Sequence, residues 1–136
     1  MPFEHIVTVR FHEVDRAGIA FFGRVFEYCH LTFEELVAAA DVGISEIFSN
    51  RGWGMPLVHT EADFKGPMRL GDRLTVSLAV DRVGQSSIAF AFEVRGSSGD
   101  LRATAKLVHA FVDLRSFESI EVPELMLDIL EGAGLR

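Results

Sequence analysis

Apolar positions along the chain change their period twice, and each change marks an element. From His5 to Phe11, Val7, Val9 and Phe11 alternate with Ile6, Thr8 and Arg10, the two-residue period of a strand with one apolar face. After a charged break at Glu13 to Gly18 the period becomes helical. Phe22, Val25, Phe26, Cys29, Phe33, Leu36, Val37 and Ala40 form the core stripe of a helix expected from about Ala20 to Ala40. Arg24, Glu27, His30, Glu34 and Glu35 make up its other side. Asp41-Val42-Gly43 ends it, Ile44 to Asn50 reads as one or two further helical turns, and Arg51-Gly52-Trp53-Gly54 as a loop. Four strands are expected next, at Leu57–Lys65, Arg73–Val83, Ser87–Arg95 and Arg102–Leu114. The breaks at Gly84-Gln85 and Gly96 to Asp100 have the length and composition of hairpins. Pro123 to Leu135 reads as a closing helix with proline at its start.

One strand, one long apolar helix and then an antiparallel meander is an α+β order. A helix apolar on most of its faces asks to be wrapped rather than covered. A five-stranded antiparallel sheet curling around a long central helix, the hotdog arrangement, meets that demand. Residues 1–136 are expected to form a single domain, and the open sheet edges favour a homodimer or homotetramer.

Composition narrows the function. The net charge of -7 excludes an extended nucleic-acid surface, which needs clustered Lys and Arg. The 12 Phe against one Trp and one Tyr suggest an apolar interior with a pocket or an interface. A lone cysteine, Cys29, cannot form an internal disulfide, so a reducing compartment is expected. MPFEHIVTVR has no basic region followed by an apolar run, and no stretch is long enough to span a bilayer. A cytoplasmic protein without membrane insertion is the expectation.

Candidate chemistry concentrates at the first break. Cys29 sits on the apolar helix stripe, where a thiol is inert. No Gly-x-Ser-x-Gly elbow occurs, and the histidines (His5, His12, His30, His59, His109) lack metal-ligand spacing. No phosphate loop or dinucleotide motif is present, so neither a metal nor a cofactor is expected. Asp15 follows a strand and precedes a helix start that has no Ser, Thr, Asp or Asn to cap it. The free N–H groups there can donate to a developing oxyanion, and Asp15 can attack a carbonyl or activate a water. The same Asp-x-x-Gly also suits a purely turn-shaping role. Glu27, His30 and Glu34 share one helix side, as acid-base groups for a neighbouring subunit or as its wet face. His59, Glu61 and Asp63 alternate with Val58, Thr60 and Ala62, lining a pocket or facing solvent.

RFHEVDRAGIAFFGRVFEYCH resembles the signature of the 4-hydroxybenzoyl-CoA thioesterase family of hotdog enzymes, and the likeness continues through MPLVHTEADFKGPMRLGDRLTV. The Cys-His step, Pro-Leu-Val-His and Asp-Phe are similar to the 1,4-dihydroxy-2-naphthoyl-CoA hydrolases within it. The resemblance implies an acyl-CoA substrate and a thioester hydrolase. It makes Asp15 the nucleophile or general base, Gly18 the turn glycine at the acyl group and the Phe22 N–H the oxyanion donor. His59 and Thr60 match a strand segment lining the acyl side. The basic run that grips nucleotide phosphates in a relative is replaced by Arg82-Val83-Gly84-Gln85, which leaves Lys65, Arg69, Arg82 or Arg95 to meet the phosphates of CoA. A carrier-protein thioester is a further possibility. Two rival readings are a dehydratase acting on 3-hydroxyacyl thioesters through His30 or His59, and a module that binds acyl-CoA or acyl-carrier protein without cleaving it.

Overall fold

A computed structural model describes residues 2–48 and 52–136. In chain order the elements are β1 (Phe3–Thr8), a 3-10 turn (Phe11–Glu13), α1 (Arg24–Ala39), α2 (Ile44–Phe48), β2 (Trp53–Gly54), β3 (Leu57–Phe64), β4 (Arg73–Val83), β5 (Ser87–Arg95), β6 (Leu101–Ala110), β7 (Val112–Asp113) and α3 (Glu124–Gly132). Five strands form one antiparallel sheet in the order β1-β4-β5-β6-β3. Strand alternation puts Leu74, Val76, Leu78, Ile88, Phe90, Phe92, Val94, Ala103, Ala105 and Leu107 on the face that α1 covers, all buried. The α+β order and the five-stranded sheet follow the sequence expectation.

Several boundaries differ, each for a backbone reason. The first strand ends at Thr8, where its partner β4 begins at Arg73. Val9 then bonds across to Asp72 and the chain tightens into the 3-10 turn, so Phe11 stands 83% exposed instead of facing the core. The helix begins at Arg24, not Ala20. Ile19 and Ala20 pair instead with Arg69 and Val14 in antiparallel bridges, and Arg24 N–H donates to the Phe21 carbonyl rather than to that of Ala20. The buried stripe accordingly runs through Val25, Tyr28, Cys29, Thr32, Phe33, Leu36 and Val37, while Phe22 is 62% exposed and Ala40 is also exposed.

The last expected strand breaks at Phe111. Its continuation, β7, pairs with β2, so Trp53 and Gly54 are a short strand rather than a loop. The expected turns out to Asn50, and Arg51 of the expected loop, fall partly outside the described residues. Helix α3 stops at Gly132 because Gly134 takes a positive φ and Leu135 N–H returns to the Leu130 carbonyl. Asp41 ends α1 in the same way, at φ 59, with Val42 N–H on the Val37 carbonyl.

Within one chain the sheet covers one side of α1 only. Leu31 on the other side is 46% exposed, and seven of the eight β3 residues are exposed at the sheet edge. Among the described residues no helix is long and apolar enough to cross a membrane.

Two contacts lock α1 to the sheet. The Phe33 and Phe90 rings meet edge to face at 5.5 Å. Below them His109 Nδ1–H donates to the Met55 carbonyl at 2.7 Å, which leaves its Nε2 to accept from His30 Nε2–H at 3.3 Å. Burial holds both imidazoles below the ordinary histidine value, and His30 lowers His109 further.

Phe90→Ala is expected to cost about 3–5 kcal/mol, read from the midpoint of urea unfolding. The histidine pair sets a pH dependence. The unfolded chain takes up protons near the ordinary value of 6.5, while the folded pair resists them. Stability therefore falls as pH drops below that value. Thermal melts between about pH 7.5 and 5 should show this fall, and it should flatten in a variant carrying His30→Gln and His109→Gln.

Candidate active site

The break between β1 and α1 is a small hairpin built on its own hydrogen bonds. Its legs are Glu13–Asp15 and Ile19–Phe21: Asp15 N–H donates to Ile19, Phe21 N–H to Glu13, and Val14 bridges Ala20. Gly18 closes the turn at φ +76, a conformation in which a Cβ is strained, and its N–H returns to the Asp15 carbonyl. The second leg is also stitched to the segment after β3, through Ala20 N–H to Met68 and Leu70 N–H to Gly18.

Asp15 stands on this hairpin with its two oxygens in different roles. Oδ1 accepts Ala17 N–H at 2.8 Å and Ile19 N–H at 3.4 Å, as a turn-shaping aspartate does. Oδ2 accepts nothing among the described residues. The carboxylate opens into a cavity of about 610 Å³ whose other walls include Phe21, Phe22, Phe64 and Met68, with Lys65 as the cation. The rings of Phe21 and Phe22 lie 4.5 Å apart and tilted by 42°, a ready face for another flat group. Lys65 makes no ion pair among the described residues.

The helix start supplies the complementary charge. Gly23 is the N-cap and offers no side-chain acceptor. The N–H groups of Phe22 and Gly23 meet no acceptor among the described residues, so both remain open at the positive end of α1. The Phe22 N–H named in the oxyanion expectation is thus one of the open groups, although the helix itself begins two residues later.

The hairpin is clamped from beneath. Glu13, 8% exposed, accepts Arg10 N–H at 2.8 Å and Tyr28 O–H at 3.0 Å on one carboxylate oxygen. Burial, then the Glu13 bond and charge, push the Tyr28 phenol above its ordinary value. Arg24 adds a bond to the His12 carbonyl and pairs with Glu27. Sequence reasoning missed this pair. The signal was the chain's one tyrosine within a buried stripe, since a buried phenol needs a partner.

The remaining expected residues divide. Lys65 lines the Asp15 cavity, and Arg69 bridges Ile19 beside it. Arg82 and His59 lie with Glu61, Asp81 and Lys106 on the outer face of the sheet, His59 within 3.3 Å of Glu61. His59 and Thr60 are adjacent on one strand, so within the chain they point to opposite faces of the sheet. Thr60 faces the side of Leu107, as Phe64 faces that of Ala103, but it does not reach the Asp15 cavity in the same chain. Arg95 is engaged with Glu93 and Gly99. Cys29 is fully buried, its thiol pushed up to about 12 by burial, and belongs to the core. His30 is engaged with His109 and lies outside the Asp15 cavity.

Comparison with known proteins gives the family. The 1,4-dihydroxy-2-naphthoyl-CoA hydrolase of Nostoc punctiforme is 32% identical over 131 residues, 96% of this chain and 88% of that protein. The protein of the same name from Thermosynechococcus vestitus is 28% identical over 93% of this chain and 86% of its own length. Among solved structures, a 1,4-dihydroxy-2-naphthoyl-CoA thioesterase from Synechocystis superposes with a TM-score of 0.89 at 24% identity, covering 96% of each chain. Residues 9–130 match the thioesterase-like superfamily, and the chain belongs to that hotdog-fold family.

Proposed function

We propose that this chain hydrolyses the thioester of an aromatic acyl-CoA, with 1,4-dihydroxy-2-naphthoyl-CoA as the first substrate to test. The observation that carries the reading is a carboxylate oxygen of Asp15 left free in an apolar cavity that Phe22, beside two open N–H groups, also lines. The names of its relatives support the same class.

The chemistry follows from those parts. The thioester carbonyl oxygen takes the N–H groups of Phe22 and Gly23, which stabilise negative charge as it develops. Asp15 serves as nucleophile at the carbonyl carbon or as base to an attacking water. Either route expels the CoA thiolate, a good leaving group that needs little acid assistance. The nucleophilic route passes through an acyl–Asp15 anhydride that water then cleaves, and in the base route Asp15 takes the proton of the attacking water. Phe21, Phe22 and Phe64 flank the acyl ring. On a chain of net charge -7 the CoA phosphates need local cations, and Lys65 and Arg69 stand beside the cavity.

The protein works as a homodimer or homotetramer in this reading. The open edge of β3 and the uncovered side of α1 are the surfaces a second copy would close, completing the wrapping of the helix. His59, Thr60 and Arg82, remote from Asp15 within one chain, are then candidates for the partner's site.

Asp15→Asn should lower thiol release from 1,4-dihydroxy-2-naphthoyl-CoA by about 10²–10⁴-fold with the fold intact by circular dichroism. Full turnover by that variant removes Asp15 from the reaction. A thiol-release panel of aromatic and aliphatic acyl-CoAs should rank the aromatic members first, and saturable binding without thiol release identifies a non-catalytic module instead. Light scattering should return a dimer or tetramer, whereas a fully active monomer overturns the assembly.

A further inference from the structure

Two carboxylates stand two residues apart on the hairpin, and the mechanism above uses only one. Glu13 lies at the base of the hairpin, where its backbone and side chain do different work. Its carbonyl accepts Phe21 N–H at 2.9 Å and so sets the spacing of the two legs. Its carboxylate accepts Arg10 N–H and Tyr28 O–H, and so fixes the hairpin against the second turn of α1. The hairpin carries Asp15, and the chain leading into the helix carries the open N–H groups of Phe22 and Gly23.

We infer that Glu13 and Tyr28 form a positioning pair that sets the angle between the Asp15 carboxylate and the oxyanion donors at the start of α1. The inference rests on the hydrolytic reading of Asp15. It names two residues for that reaction which touch neither the substrate nor the reacting atoms.

Stability alone does not account for the pair. A buried polar couple is expensive to desolvate, and well-packed apolar residues at both positions would hold a fold at least as well. What apolar packing lacks is direction. A hydrogen bond of 3.0 Å between a strand-side carboxylate and a helix phenol admits one orientation of hairpin on helix. Asp15 lies about 7 Å along the chain from Glu13, so a modest tilt at the base displaces the carboxylate by much of an ångström. An error of about 1 Å at a reacting group can cost about 100-fold in rate. The hairpin's other ties run to residues 68–70 and to Arg24, whose side chain makes an exposed bond to the His12 carbonyl and whose N–H donates to Phe21. The Glu13–Tyr28 bond is the buried tie to the helix. The pair is also a constant one. Burial and the neighbouring carboxylate keep the Tyr28 phenol protonated, so its O–H donates throughout the working pH range.

The test compares wild type with Tyr28→Phe, Glu13→Gln and Glu13→Ala on one aromatic probe, benzoyl-CoA, reading kcat and KM separately. Thermal midpoints and circular dichroism establish the folded fraction. Glu13→Ala should lower kcat about 10–100-fold and Tyr28→Phe about tenfold, with KM within about twofold in both. Glu13→Gln should stay within about threefold of wild type, because its amide oxygen still accepts both donors. Combining Glu13→Ala with Tyr28→Phe should add little to Glu13→Ala alone, as expected for two members of one unit. Tyr28→Phe removes a single oxygen, so it serves even if Glu13→Ala does not fold. Wild-type kcat in folded Tyr28→Phe and Glu13→Ala, or losses that only track the folded fraction, would overturn the positioning role while leaving Asp15 in place. A wild-type protein that releases no thiol from any acyl-CoA overturns the hydrolytic reading, and this inference falls with it.

Discussion

Residues 19–21 are held extended by backbone pairing: Ala20 N–H donates to Met68, Phe21 N–H to Glu13, and Ile19 and Ala20 bridge Arg69 and Val14. The candidate site depends on this pairing, which sets where the chain turns into α1 and so where the first N–H groups of the helix stand relative to Asp15. Pairing residues 19–21 as a strand delays the helix to Arg24. That delay leaves the positive end of α1 exposed beside the hairpin that carries Asp15. Gly18 makes the arrangement possible, since the hairpin closes only through a left-handed residue.

The strands from Arg73 onward were legible in the sequence because alternation on a half-buried sheet is strict and the hairpin breaks are rich in glycine. The turn that carries Asp15 was legible as a charged break between two apolar periods, while the residues alone left a turn-shaping and a chemical role for Asp15 both open. The helix start was not. The apolar run Ile19-Ala20-Phe21-Phe22 suits a strand or a helix equally, and the choice here is made by partners at residues 13 and 68. The Glu13–Tyr28 bond spans 15 residues and leaves no periodic trace. The resemblance matched His59 and Thr60 to a strand segment on the acyl side, and within one chain neither residue lines the Asp15 cavity.

The sheet itself is unequal in its two faces. The side toward α1 is continuous apolar packing, tied to the helix by Phe33, Phe90 and the histidine pair. The outer side carries the Lys106–Asp81 and His59–Glu61 pairs, all of them substantially exposed. Such exposed pairs add little to stability, so the strength of the fold lies on the helix side. Edge strand β3 takes part in that core only through Ala62.

The segment after β3 is held from a third direction. Arg102 on β6 reaches the Pro67 carbonyl and Asp72, while Asp72 accepts Arg69 N–H. The floor of the Asp15 cavity, Phe64 to Met68, is thus moored to the far hairpin of the sheet, and through Ala20 N–H to Met68 and Leu70 N–H to Gly18 the same segment is bonded to the hairpin that carries Asp15. Floor and hairpin therefore share a foundation, and a substitution that shifts the backbone at Met68 carries to the Asp15 hairpin beside it.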